Sequence, residues 1–179
     1  MRWRQETLII TDVSLLKEKC VDASADEIKD IISLLDNELN IANKFQFCGI
    51  GLSASQIGIN KKVAIIRLDK FKINLVNCSI AEKFDLKQSK EGCLSLPGKS
   101  YILDRYNEII IKDNFLGNIN NFVCYGMVAI VVQHELDHAL GLLISDKENL
   151  KDIHIGDNMP CPCGSKIKFK KCCKNRVTN

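Results

Sequence analysis

The chain has 179 residues, 46% hydrophobic and 26% charged, which is the size and composition of a globular domain and excludes disordered, collagen-like and coiled-coil proteins. Nine cysteines, an odd number with four of them in the last twenty residues, argue against a disulfide scaffold and for metal ligation. The net charge of +3 hides an asymmetry: residues 151–179 carry seven Lys/Arg against two acids, leaving 18 against 20 in the first 150, so a near-neutral body precedes a basic tail suited to an anionic partner.

The N-terminus has no apolar run closed by a small-residue cleavage site, so no secretory signal is expected. The stretch from Asn114 to Leu136 is interrupted by Gly117, Gly126 and Gln133, too polar to span a bilayer. A cytoplasmic protein, or one of an organelle matrix, is expected. Ser24 and Glu27 form a capping-box pattern, and Ile28, Ile31, Ile32, Leu35 and Leu39 then recur at helical spacing, predicting an amphipathic helix over about 25–43. Segments 63–68, 73–77, 108–112 and 119–125 are short and rich in β-branched residues and read as strands, the last two joined by a hairpin-like loop at 113–118. From Gly126 to Leu140 helical spacing returns through Met127, Ile130, Val131, Leu136 and Leu140, with Gly141 as the stop; this helix should be largely buried. Apolar periodicity ends near Lys151, dividing the chain into a body, 1–150, and a tail, 151–179.

His134-Glu135-Leu136-Asp137-His138 matches H-E-x-x-H, which on a helix sets two imidazoles one turn apart with a carboxylate beside them, the arrangement for a divalent metal and a base. A catalytic site of this type takes three protein ligands. The metzincin position for a third histidine holds Ile144, the remaining His154 lies beyond the helix, and Glu148 is too close to His138 in sequence to fold back. Cys93 and the loop of residues 49–56 are the other candidates.

Residues 49–56 (GIGLSASQ), 91–95 (EGCLS) and 133–138 (QHELDH), in this order, resemble the three signature motifs of the peptide deformylase family: G-φ-G-φ-A-A-x-Q with φ apolar, E-G-C-L-S, and Q-H-E-x-D-H. The resemblance covers the first ~145 residues. It implies an α+β fold with mixed or antiparallel sheets packed around a central metal-binding helix. It also implies Cys93, His134 and His138 as ligands of one catalytic divalent metal, ferrous iron first, with zinc, nickel or cobalt as alternatives. Glu135 would be the general base. The Gln56 amide and the Leu94 backbone N–H would stabilise the oxyanion as the formyl group of an N-formylmethionyl nascent peptide is hydrolysed to formate. Ile50, Met127, Ile130 and Val131 fall where the family lines its methionine side-chain pocket, and Gly49 and Gly51 would let an extended peptide approach as an added strand.

Glu91 and Asp137 fit either roles supporting a ligand or a structural ion pair. Four positions depart from the family pattern: Ser53 stands for alanine, Ala139 follows His138 in place of leucine, Cys78 stands for proline, and no arginine follows Pro97 within a few residues. None is a ligand or the base, and activity is expected.

In the tail, Cys161, Cys163, Cys172 and Cys173 supply four thiolates within thirteen residues, and the segment CPCGSKIKFKKCC resembles the SEC-C zinc motif, with Lys166 where glycine is usual. The resemblance implies a structural zinc ion and a basic knuckle with Phe169 exposed, which folds only with its metal and suits ribosomal RNA, ribosomal protein or a chaperone. Cys20, Cys48 and Cys124 read as buried apolar residues. The function expected is deformylation. Its alternative is an inactive deformylase-like body serving as a ribosome- or chaperone-binding module.

Overall fold

The structure is a computed structural model that describes residues 7–45, 49–68, 71–114 and 120–148, with Asn158 and Lys168 singly. Cys48, the loop residues 115–118, His154, the expected boundary near 151 and the four tail cysteines lie outside the described residues.

The first long helix, α1 (Ala25–Lys44), begins at the expected capping box and buries Ile28, Ile31, Leu35, Leu39 and Ala42 along one stripe. Glu38 lies in the same stripe; its carboxylate accepts from Thr7 Oγ1 and the Leu8 N–H, each at 2.8 Å, and so ties the N-terminal segment to the helix.

Strands β1 (Gly51–Ser53), β2 (Val63–Leu68) and β3 (Phe71–Val76) form one antiparallel sheet in that order. β2 is buried on both faces: Val63 and Ile65 join the core beneath α1, while Ala64 and Ile66 join a second core on the opposite side. Strands β4 (Ser79–Gly92), β5 (Ser100–Asp113) and β6 (Asn120–Tyr125) form a second antiparallel sheet, also in chain order. Between the two sheets runs α2 (Gly126–Ala139), in contact with β1, β2, β5 and β6. A short helix, α3 (Ile144–Glu148), packs on β5. Among the described residues no helix is long and apolar enough to cross a membrane.

The sheet pairing is antiparallel throughout, and the helix limits agree with expectation to a residue or two. Three strand expectations are corrected. β4 was not anticipated, because its sequence SIAEKFDLKQSKEG is that of a charged, exposed edge strand with no apolar alternation. β5 extends eight residues before the expected start at 108, with Leu103, Ile109 and Ile111 buried on its inner face. Asn77 lies outside β3 with φ at 52°, its side chain bonded to the Ala23 N–H and carbonyl. The expectation for α2 holds along its middle but not at its ends, where Met127 and Leu140 are exposed.

Candidate metal centre

α2 enters between the sheets and places His134 and His138 one turn apart, their ring centroids 5.0 Å from each other in an edge-on arrangement. Cys93 comes from the turn that joins β4 to β5, where Leu96 N–H bonds to the Cys93 carbonyl at 2.9 Å. The ligand atoms of Cys93, His134 and His138 lie within 4.8 Å of one another.

The donor set matches a tetrahedral ion. Metal–sulfur and metal–nitrogen bonds of ~2.3 and ~2.1 Å at a tetrahedral angle leave S and N about 3.6 Å apart. Cys93 Sγ and His138 Nε2 are separated by 3.4 Å. The His138 Nδ1, the nitrogen turned away from Cys93, is fully buried and has no hydrogen-bond partner among the described residues. Burial, followed by the positive neighbours His134 and Arg105, holds His138 well below the usual imidazole range, so it presents a neutral lone pair. The residues present fit a divalent cation of the iron or zinc type.

Behind the ligands stands a buried ionic chain. Glu91 Oε2 lies 3.0 Å from His134 Nδ1 and orients that ring. Arg105, on the inner face of β5 between Leu103 and Ile109, donates to Glu91 through Nε at 2.7 Å and Nη2 at 2.9 Å, and to Asp137 through Nη1 at 2.5 Å. Lys147 on α3 reaches the same Asp137 oxygen at 2.6 Å. Burial pushes Glu91 up, but hydrogen bonds from His134 and Arg105 outweigh it and hold the carboxyl at about 2. Both readings of Glu91 therefore apply together, while Asp137 touches no imidazole and serves the ion pairs.

Glu135 is buried beside the ligands, and its Oε2 has no protein partner. Burial above all, with the Glu91 and Asp137 carboxylates adding against His134 and Arg105, raises it to about 7. Gly51 on β1 makes room for it: a Cβ there would overlap Glu135 Oε1 and come within 2.9 Å of its Cδ. Gly49 is closed in likewise by Leu39 and Leu94, each 2.9 Å from the place of a Cβ.

Gln56 ends a capping arrangement on the 3-10 turn Ala54–Ile57. Its Oε1 accepts from the Ser53 N–H at 2.9 Å, which turns its Nε2 toward Ser95 Oγ at 3.1 Å and Cys93 Sγ at 3.4 Å. Ser53 is thus the N-cap that orients the amide. Ala139 is buried, and its carbonyl accepts from the Cys20 N–H at 2.9 Å, so the N-terminal segment packs against that end of α2. Among the described residues no arginine lines the cleft; Arg105, further along β5, is buried behind it.

A cleft of about 480 Å³ opens in front of Glu135, lined by Gly49, Ile50, Gly51, Gln56, Cys93, Leu94, Met127, Ile130, Val131 and His134. Every site residue expected in the body reaches this cleft except His138, which lies just beneath it, 1% exposed. Arg105, Ser95 and Lys147 were not anticipated. Ser95 lies within the EGCLS segment, but a serine in a turn carries no mark of its partner, and Arg105 and Lys147 meet Asp137 only through the tertiary fold.

A family model described as polypeptide deformylase matches residues 7–153. The chain belongs to the polypeptide deformylase family. This deformylase is 36% identical to the peptide deformylase of Karelsulcia muelleri over 148 residues, 78% of this chain and 76% of the relative. It is 35% identical to peptide deformylase 1 of Clostridium perfringens over 145 residues, covering 79% of this chain and 96% of that one. Among solved structures, the Synechococcus elongatus peptide deformylase in complex with actinonin superimposes with a TM-score of 0.68 at 31% identity, covering 78% of the deformylase chain and 76% of its own. A second model, the SEC-C motif, matches residues 158–175 of the tail.

Proposed function

We propose that this chain hydrolyses the N-formyl group from the formylmethionine of newly made peptides, with Cys93, His134 and His138 holding one divalent metal ion. Ferrous iron is the first candidate, with zinc, nickel or cobalt as alternatives, since a thiolate and two imidazoles suit all of them. The observation that carries the reading is the convergence of these three ligand atoms within 4.8 Å beside a buried carboxylate at the head of a cleft.

A cation bound there would supply Lewis acidity, polarising the formyl carbonyl and lowering the pKa of an attacking water. Glu135, buried at the head of the cleft, accepts a proton from an attacking water and returns it to the departing amine nitrogen, so that the C–N bond breaks to formate and a free amine. The Gln56 side-chain amide, held by Ser53, and the Leu94 N–H, which makes no hydrogen bond among the described residues, are the donors for the developing oxyanion. Ile50, Met127, Ile130 and Val131 receive the methionine side chain, with Met127 exposed at the mouth. β1 and β4 are edge strands of separate sheets, and residues of both line the cleft. An extended substrate lies between these edges as an added strand, along Gly49, Ile50 and Gly51.

In the tail, Cys161, Cys163, Cys172 and Cys173 hold a structural zinc ion, and the basic knuckle docks the enzyme on the ribosome, with a chaperone as the rival partner. The body then works where formylated chains emerge, in the cytoplasm or an organelle matrix. Formate release from a formyl-Met peptide, by protein purified without oxygen and loaded with ferrous iron, tests the function beside a Glu135→Gln control. Turnover that is lost in the control supports it; metal-loaded protein that releases no formate refutes it.

A further inference from the structure

The rim of the cleft carries a charge pattern that the chemistry at its head does not use. Lys90 on β4 and Lys99 at the end of the turn both line the cleft and are exposed, and neither is ion-paired among the described residues. Among the described residues only two carboxylates line the same cleft, and both are committed: Glu91 to Arg105 and His134, and Glu135 to the reacting end. The uncommitted charges that these residues bring to the open mouth are therefore cationic.

Edge geometry places these charges along the substrate. Lys90, on β4, precedes Cys93, in the turn that follows the strand, by three residues, roughly 10 Å at the rise of an extended strand. A peptide paired against this edge with its formyl group at Cys93 covers that distance in three residues, so the side chains just after the formylmethionine pass Lys90. Lys99 stands beside the first of these positions: a Cβ on Gly92, the last residue of β4, would lie 3.7 Å from its carbonyl oxygen. Both lysines line the cleft that the peptide occupies, where charges closer than a Debye length are only partly screened.

We infer that Lys90 and Lys99 make this enzyme select formylmethionyl peptides with Asp or Glu in the two or three positions after the methionine, and discriminate against Lys or Arg there. The inference rests on the deformylase reading and refines its substrate class. An exposed lysine facing a carboxylate changes an equilibrium by roughly 1.5- to 5-fold. Two lysines, attracting one peptide and repelling the other, give about a 3- to 20-fold difference in kcat/KM.

The test is a one-pot competition among C-terminally amidated formyl-Met-Glu-Glu, formyl-Met-Ala-Ala and formyl-Met-Lys-Lys, followed by mass spectrometry with the iron-loaded full chain. Calorimetric binding of the matching unformylated peptides adds a readout that needs no turnover. The expected order is Glu over Ala over Lys in both, flattened in ~0.5 M salt and inverted in Lys90→Glu/Lys99→Glu. Equal rates for the three peptides at low salt, or an order that survives the charge reversal, overturn the inference while leaving the deformylase reading intact. No formate from any of them overturns that reading and the inference with it.

Discussion

Replacing Arg105 by methionine keeps a chain of similar length but removes the cation that Glu91 and Asp137 share. Arg105 is 2% exposed and donates three charged hydrogen bonds, two to Glu91 and one to Asp137. Removing one partner of a buried ion pair costs roughly 3–5 kcal/mol, because the remaining charge keeps its desolvation penalty without its partner. Lys147 still reaches Asp137 and His134 still meets Glu91, which puts the expected loss at the lower end, about 3 kcal/mol. For a chain of this size that is a fall of roughly 6–12 °C in Tm. The variant should also bind metal about 10- to 100-fold more weakly, since Glu91 loses the bidentate grip that aims it at His134. Urea denaturation of the metal-free protein reads the first effect, and competition with a chelator of known affinity reads the second. Adding Glu91→Gln to the variant should restore part of the stability, with a coupling of about 1–3 kcal/mol between the two sites. A loss below ~1 kcal/mol with unchanged metal affinity, or strictly additive losses, would refute the reasoning that this chain of charges supports the ligand.

Gly51→Ala should lower kcat by at least ~100-fold at full metal content, because the new Cβ displaces the Glu135 carboxylate and a positioned base contributes ~100- to 10,000-fold; activity within threefold of the parent would contradict the packing. Ser53→Ala should cost about 0.5–2 kcal/mol in chemical denaturation through the lost hydroxyl cap while leaving kcat near that of the parent, because Gln56 Oε1 is held by the Ser53 backbone N–H, which alanine keeps; a large fall in kcat would mean that the hydroxyl itself positions the amide. Glu38→Ala should cost about 1–3 kcal/mol and open residues 7–12 to proteolysis, and unaltered cleavage there would show that the segment is held by its apolar contacts. Hydrogen bonds from the Ser24 hydroxyl and backbone, then from Lys61, hold Glu27 down at about 2, so its contribution to stability is present above its ordinary value of 4.5 and lost as pH falls toward 2. The stability gap between the parent and Glu27→Gln should close across that range; a gap that persists at pH 2 assigns it to something other than the carboxylate.

Which elements were legible in the sequence follows from where their apolar residues had to point. α1 packs one stripe on the sheet and leaves the other face in water, so the 3.6-residue period is plain, and β2 is a short apolar run because both of its faces are covered. β4 needs no apolar face: it is an edge with most of its residues exposed, and its register with β5 is carried by backbone pairing that composition does not reveal. The first half of β5 escaped for a related reason, since its inward positions hold Arg105 beside Leu103, and a charged residue on the buried face breaks the alternation that marks a strand.

The site divides along the same line. The groups that converge at the cleft were legible because each is declared within a few residues: two histidines one turn apart, a cysteine between glycine and leucine, a glutamine three residues after a cap. What holds them is non-local. Glu91 and Arg105 are 14 residues apart, and Asp137 is 32 from Arg105, so nothing in either segment shows that they will form one chain of charge. The departures from the family pattern show how far this goes. Ser53, which stands for alanine, caps the turn that carries Gln56 and aims its amide through the backbone N–H, and Ala139, which stands for leucine, lies under the N-terminal segment at Cys20. In both cases the effect of the substituted residue is set by its neighbours across the fold. The same holds for Gly141: at φ 71°, a Cβ there would run into the Lys17 carbonyl. Its role as the stop of α2 is visible in sequence, but the close approach of the N-terminal segment, which also forbids a side chain, is visible only in the assembled fold.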